Sequence, residues 1–157
     1  LCTKRLGRHV HILNDADAAG VAEAKFGAAR KKKGLTILTT LGTGIGVALL
    51  YNGELIPNAE LGHLEIDGVD AETVAAFSAK EREDLTWEEW AKRLQSYYST
   101  LERLLTPDLF IVGGGVSKEH EDFLPLLKLK TAIVPAATRN SAGILGAAAM
   151  AYKNRED

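Results

Sequence analysis

The chain predicts a mixed α/β domain, one sheet with helices packed on it, and three features carry that reading. Two β-rich runs, residues 35–41 and 45–51, meet at Gly42-Thr43-Gly44 and continue through an Asn52-Gly53 turn into residues 54–56. A helical period follows through Trp87, Trp90, Ala91, Leu94, Tyr97, Tyr98, Leu101, Leu104 and Leu105. It opens on a Thr86/Glu89 capping box and stops at Pro107. A buried-type strand over residues 108–112 then enters Gly113-Gly114-Gly115.

The remaining elements fill in around these. Residues 9–13 read as a short strand, and Asp15 or Asp17 can cap the helix after it, whose Ala18, Val21, Ala22, Phe26 and Ala29 recur at helical spacing. That helix is expected to end in Arg30-Lys31-Lys32-Lys33-Gly34, with cations at its negative pole and a glycine to stop it. Residues 57–70 are mostly loop with a short strand near 63–66, and a helix spans 71–83. Leu85 and Trp90 make a hydrophobic staple at the start of the long helix. A short helix near 118–126, a strand near 131–134 and an alanine-rich helix from about Ser141 complete the chain. There is no internal repeat and no linker, so residues 1–157 form one domain.

Composition narrows the function classes. With 46% hydrophobic and 25% charged residues the chain is that of an ordinary globular protein, and its net charge of −2 argues against a general nucleic-acid binder. No apolar stretch reaches the ~18 residues that suggest a membrane span. Cys2 is the single cysteine, which excludes an internal disulfide and a cysteine-built zinc site and fits a reducing, cytoplasmic compartment.

Four constellations carry chemistry. Asn14-Asp15 sits at a strand-to-helix junction, where the helix dipole keeps a carboxylate ionised and able to take a hydroxyl proton as that oxygen attacks phosphorus. Taken alone, the same aspartate reads more simply as a plain helix cap. Gly42, Thr43 and Gly44 offer backbone amides and a hydroxyl to phosphate oxygens, or form a simple glycine hairpin; a strand follows them, unlike either nucleotide-binding glycine motif. Glu60 and His63 in Glu60-Leu61-Gly62-His63 can grip vicinal hydroxyls or be merely solvated. Gly113 and Gly114 admit a ligand or turn a strand into a helix. An acid, an anion cradle and a polar cluster in this order point to phosphoryl transfer onto a hydroxylated small molecule.

Taken together, Asn14-Asp15 before a helix, Leu41-Gly42-Thr43-Gly44-Ile45-Gly46, Glu60-Leu61-Gly62-His63 and Gly113-Gly114-Gly115-Val116-Ser117 resemble the ROK family, which joins sugar kinases and sugar-responsive repressors. The wording Asn14-Asp15-Ala16-Asp17-Ala18-Ala19-Gly20 and Phe110-Ile111-Val112-Gly113-Gly114-Gly115 is similar to the family's actinobacterial polyphosphate-using glucokinases, and the resemblance covers nearly all of the chain. It implies an actin-like, ribonuclease-H-like ATPase fold with a mixed sheet flanked by helices. It implies that Asp15 is the catalytic base and that Asn14, Glu60 and His63 hold the sugar, with Glu72 as the best match for a further sugar-contacting glutamate. The implied reaction makes glucose 6-phosphate from glucose, with polyphosphate or ATP as donor, Mg2+ accompanying it and a homodimer as the assembly.

Two departures from the family pattern matter. Residues 69–77 lack the cysteine-rich zinc motif that most members carry, as does the polyphosphate branch, so no structural zinc is expected. The N-terminal lobe with its Asp-Ile-Gly-Gly-type phosphate loop is also absent, and Leu1-Cys2-Thr3-Lys4-Arg5-Leu6-Gly7 reads as the tail of a helix. The chain is therefore expected to be a C-terminal lobe, inactive alone. The competing expectation is a fragment of a sugar-sensing regulator of the same family; Asp15 favours the kinase, since a sensor needs no base. Arg30, Lys31, Lys32 and Lys33 are a solvated helix end or a grip for polyphosphate.

Overall fold

The computed structural model describes residues 13–138 and 141–153. The expected helix tail before Gly7 lies outside the described residues, as does the strand at 9–13 except for Leu13. Helix α1 (Asp15–Phe26) leads into β1 (Leu35–Leu41), β2 (Ile45–Tyr51) and β3 (Glu54–Ile56). A 3-10 turn (Leu61–His63) and a small hairpin, β4 (Glu65–Ile66) with β5 (Val69–Asp70), precede helices α2 (Ala71–Ala75), α3 (Phe77–Arg82) and α4 (Trp87–Leu105). The chain then runs through β6 (Leu109–Gly113), α5 (His120–Phe123) between two 3-10 turns, β7 (Ala132–Pro135) and α6 (Ala142–Lys153).

The sheet order is β3-β2-β1-β6-β7. β1 pairs antiparallel with β2, with Leu41 facing Ile45 across the glycine turn, and parallel with β6, which in turn is parallel to β7. The carboxyl ends of β1, β6 and β7 therefore share one edge of the sheet. Asn52 and Gly53 both take positive φ (52° and 82°), the geometry of the tight turn that their sequence specifies.

Side-chain alternation divides the core between the two faces. Ile37, Leu41, Phe110 and Val112 point to the face covered by α4, where Trp90, Leu94, Tyr97, Tyr98 and Leu101 are buried. Leu38, Leu109 and Ile111 point to the other face, under α1, whose small residues let it lie close to the sheet, with α6 packed along it. Trp90 meets Phe123 edge-on at 5.0 Å, and its indole N–H donates to the Ala75 carbonyl at 3.0 Å. The Thr86/Glu89 capping box forms as expected, and α4 ends in a left-handed Thr106 ahead of Pro107. Its apolar residues are spent on this core; Leu104 (59% exposed) is its exposed large apolar side chain.

Three expectations are corrected. α1 stops at Phe26, four residues before Arg30, because the Glu23 carboxylate captures the Ala28 N–H at 2.6 Å and so competes with the helical ladder. Phe26, placed in the apolar period, is 58% exposed. The helix expected over 71–83 is broken at Ala76, which takes an extended ψ of 156°. The break lets the start of α3 reach the glycine turn: Ser78 N–H donates to the Gly42 carbonyl at 3.0 Å and its hydroxyl to Thr43 at 2.7 Å. Residues 65–70 form a hairpin turned by Asp67 and Gly68, both at positive φ.

Thr39 and Tyr98 share a buried hydroxyl–hydroxyl bond of 2.6 Å between the sheet and α4, and burial pushes the Tyr98 phenol well above its ordinary pKa. Tyr98→Phe leaves the Thr39 hydroxyl without its partner and is expected to cost about 1–3 kcal/mol in urea denaturation. Adding Thr39→Val should cost less than the sum of the single changes, whereas strict additivity would show that the two hydroxyls are not coupled.

Candidate functional site

The N-terminus of α1 decides how Asp15 is presented. The N-cap is Asn14, neither of the two aspartates expected there: its Oδ1 accepts the Asp17 N–H at 2.6 Å. That leaves Asp15 in the first turn, exposed, with one oxygen on the adjacent Ala16 N–H at 2.9 Å. The carboxylate lies at the positive end of the helix dipole. It lines a cavity of about 220 Å³ together with Thr40, Gly113, Gly114, Gly115 and Thr138. These residues sit at or just beyond the carboxyl ends of β1, β6 and β7, where sheets of this kind bind ligands.

The far wall of that cavity is built from backbone. Gly114 has φ of 86°, and a side chain there would run into the Leu41 backbone, so only glycine allows β6 to turn this tightly beside β1. Ser117 donates both its N–H (3.1 Å) and its hydroxyl (2.8 Å) to the Gly114 carbonyl, which fixes the turn. Thr138, between β7 and α6, is held by Glu23: its N–H and hydroxyl both donate to Oε1, at 2.7 and 2.6 Å.

The second polar cluster lies at the start of β2, beside the β1–β2 turn. His63 donates its Nδ1–H to Asp70 Oδ2 at 2.9 Å, since an ionised carboxylate can only accept, and Nε2 is left for other partners. That bond, reinforced by the negative charges of Glu72, Asp70 and Glu60, holds the His63 imidazole above its ordinary pKa, and the same bond lowers Asp70. Glu72 Oε2 accepts the Ile45 N–H at 2.8 Å, passing over Gly44, where any side chain would collide with the carboxylate. Glu72 thus anchors the glycine turn from the same patch that carries His63. The loop itself is tied to α4, whose Tyr97 hydroxyl donates to the Leu61 carbonyl at 3.2 Å.

Of the residues singled out in the sequence, Asp15, Gly113 and Gly114 come together at one cavity, while Glu60, His63 and Glu72 form a patch linked by their charges. Gly42, Thr43 and Gly44 do not line that cavity; they make the β1–β2 turn, with Gly42 N–H on the Gly44 carbonyl at 3.0 Å. Arg30, Lys31, Lys32 and Lys33 are exposed at the opposite end of β1, about 20 Å from the glycine turns at ~3.3 Å per residue. Sequence reasoning missed Thr138, Asp70 and the buried acids Asp17 and Glu23. The two acids left a signal: they are the only charges in the stretch of α1 that is otherwise alanine, glycine and valine. Thr138 left none.

The model of the ROK family matches residues 2–84, more than half of the chain. The chain belongs to the ROK family. Polyphosphate glucokinase of Mycobacterium tuberculosis (strain CDC 1551 / Oshkosh) is 52% identical over 142 residues, covering 90% of this ROK chain and 54% of that protein. The crystal structure of inorganic polyphosphate/ATP-glucomannokinase from Arthrobacter sp. strain KM superposes with a TM-score of 0.91 at 56% identity, over 98% of this chain and 60% of that one. A ROK family glucokinase from Streptomyces griseus in complex with glucose and AMPPNP, at 24% identity, shares the fold with a TM-score of 0.78 over 96% and 70% of the two chains. The fold is thus the actin-like ATPase fold of ROK sugar kinases, and the chain spans about half the length of the mycobacterial relatives that it matches. No helix among the described residues is long and apolar enough to cross a membrane.

The Asp70–His63 contact generates a prediction. Because the folded pKa of His63 is raised, the contact adds stability that is fully present below the unfolded value and is lost as pH rises through the folded one. The His63 midpoint followed by NMR should lie above the unperturbed ~6.5. Asp70→Asn should bring it down, and an unmoved midpoint would contradict the assignment.

Proposed function

We propose that the chain is the C-terminal lobe of a two-lobed sugar kinase that moves a phosphoryl group from polyphosphate or ATP to glucose. The observation that carries this reading is Asp15, freed from capping by Asn14 and exposed on the rim of a glycine-lined cavity at the carboxyl ends of three strands. Likeness to the mycobacterial polyphosphate glucokinase and the Arthrobacter polyphosphate/ATP enzyme supports the choice of donor and sugar class.

In this reading Asp15 orients the attacking sugar hydroxyl and takes its proton. Phosphoryl transfer passes through a loose transition state, so the base acts late and positioning does most of the work. Asn14, Glu60, His63 and Glu72 hold the sugar hydroxyls, His63 through the Nε2 that its bond to Asp70 leaves outward. Gly113 and Gly114 receive phosphate oxygens on backbone amides, with Gly42, Thr43 and Gly44 forming a second cradle. Mg2+ accompanying the donor would neutralise the charge of its phosphates. Mg2+ typically takes only one or two carboxylates besides phosphate and water, and Asp15 and Glu23 are the carboxylates that line the cavity.

Two outcomes test the reading. In the two-lobed enzyme, Asp15→Asn should lower kcat by about two to four orders of magnitude while the sugar KM moves little, because the amide keeps the shape but cannot take the proton. Near-normal turnover would reduce Asp15 to a first-turn anion. The 157-residue chain by itself should give no turnover in a coupled glucose 6-phosphate assay with either donor, since half a cleft forfeits the positioning on which the reaction depends. Robust turnover by this chain alone would overturn the two-lobe account.

A further inference from the structure

Helix α1 hides two carboxylates where neither composition nor stability asks for one. Every residue from Ala16 to Glu23 is buried, Asp17 to 1% and Glu23 to 0% exposure. Burying a carboxylate is costly unless it is paired and fully hydrogen-bonded. Among the described residues neither acid has an ion-pair partner; the pairs present are His63–Asp70, Arg82–Glu83 and Arg93–Glu83. What the two acids hold instead is backbone from elsewhere in the fold.

Asp17 Oδ2 accepts the N–H of Asn58 at 3.1 Å, two residues before Glu60 on the loop that leads to His63. Its own N–H donates to Asn14 Oδ1, so a single residue touches both of the segments assigned to the sugar. Oδ1 has no hydrogen-bond partner among the described residues. Burial, with the charge of Glu60 adding to it, raises the Asp17 pKa, so this contact is retained at a cost to the folded state. Glu23 serves the opposite wall. Its Oε1 takes both donors of Thr138, which lines the cavity with Gly113, Gly114 and Gly115, and its Oε2 takes the Ala28 N–H. Six residues separate the two acids, about 9 Å along the helix and roughly 120° around it, so they reach different sides.

We infer that Asp17 and Glu23 are positioning residues, Asp17 bracing the sugar-side loop and Glu23 the donor-side loop against the helix that carries Asp15. This rests on the division into sugar and donor sides proposed above. The expected behaviour is a double dissociation that general destabilisation cannot produce.

The experiment is steady-state kinetics of the two-lobed enzyme, varying glucose and donor (polyphosphate or ATP with Mg2+) separately. Asp17→Ala should raise the glucose KM about tenfold, the scale of one lost buried hydrogen bond, and leave the donor KM within about twofold. Asp17→Asn, which keeps an oxygen for the Asn58 N–H, should return the glucose KM to within about twofold of normal. Glu23→Gln turns an amide NH2 toward a donor and should raise the donor KM about five- to tenfold with the glucose KM unchanged. Thr138→Val, a milder change that removes only the hydroxyl, should move the donor KM in the same direction and keeps that half testable if Glu23→Gln fails to fold. Both KM values rising together, or a lowered Tm with neither KM changed, would overturn the inference. Glu60→Gln separates it from its premise. No effect of Glu60→Gln on the glucose KM overturns the sugar-side reading and the Asp17 role with it. A clear effect there, with Asp17→Ala silent, overturns the Asp17 role alone.

Discussion

The hydrogen bond from the Asp17 N–H to Asn14 Oδ1, 2.6 Å long, is the contact on which the site depends. It satisfies one of the amides that a helix leaves unpaired at its start, and it does so from the residue before Asp15. Had Asp15 been the cap, its carboxylate would have been folded back on the helix and its charge spent on backbone. With Asn14 in that role, the Asp15 side chain remains exposed at the cavity rim. The same cap fixes Asp17 in the first turn, facing inward.

The sheet supplies the rest of the geometry. β1, β6 and β7 run parallel, so three carboxyl ends and the N-terminus of α1 converge on one edge. Gly114 turns tightly there, and Thr138, held by Glu23, lines the same cavity. The second polar patch is joined to this edge through β2: Glu72 binds the first amide of that strand, at Ile45, while sharing its field with His63. The helix break at Ala76 belongs to the same arrangement, since it brings Ser78 onto the carbonyls of Gly42 and Thr43. The Gly42–Gly44 turn is therefore held from outside, by Glu72 and Ser78, whereas the turn at Gly114 is held by its own Ser117.

Much of this was legible in the sequence, for identifiable reasons. The Asn52-Gly53 turn, the Thr86/Glu89 capping box and the buried run before Gly113 each depend on local chemistry, and each forms as read. What the sequence concealed depends on tertiary contacts. Whether Asn14, Asp15 or Asp17 caps α1 is undecidable from propensity, because all three are good caps. The end of α1 at Phe26 follows from Glu23 turning on Ala28, and the break at Ala76 from the pull of the glycine turn on Ser78; neither has a sequence signature. Arg30, Lys31, Lys32 and Lys33 were readable as a cationic cluster, but only the strand register puts them at the end of β1 away from the cavity. Thr138 became part of the site through a contact 115 residues away in sequence.

The central claim is that Asp15 addresses the reacting hydroxyl across a cavity whose far wall is Gly113, Gly114 and Thr138. A crystal structure of the two-lobed enzyme with glucose and a non-hydrolysable ATP analogue tests it directly. The account predicts the sugar 6-hydroxyl oxygen within hydrogen-bond reach of the Asp15 carboxylate, about 3 Å, and the terminal phosphate against the backbone of Gly113 and Gly114. A sugar bound out of reach of Asp15, or an Asp15 side chain turned back to cap α1 in place of Asn14, would contradict it.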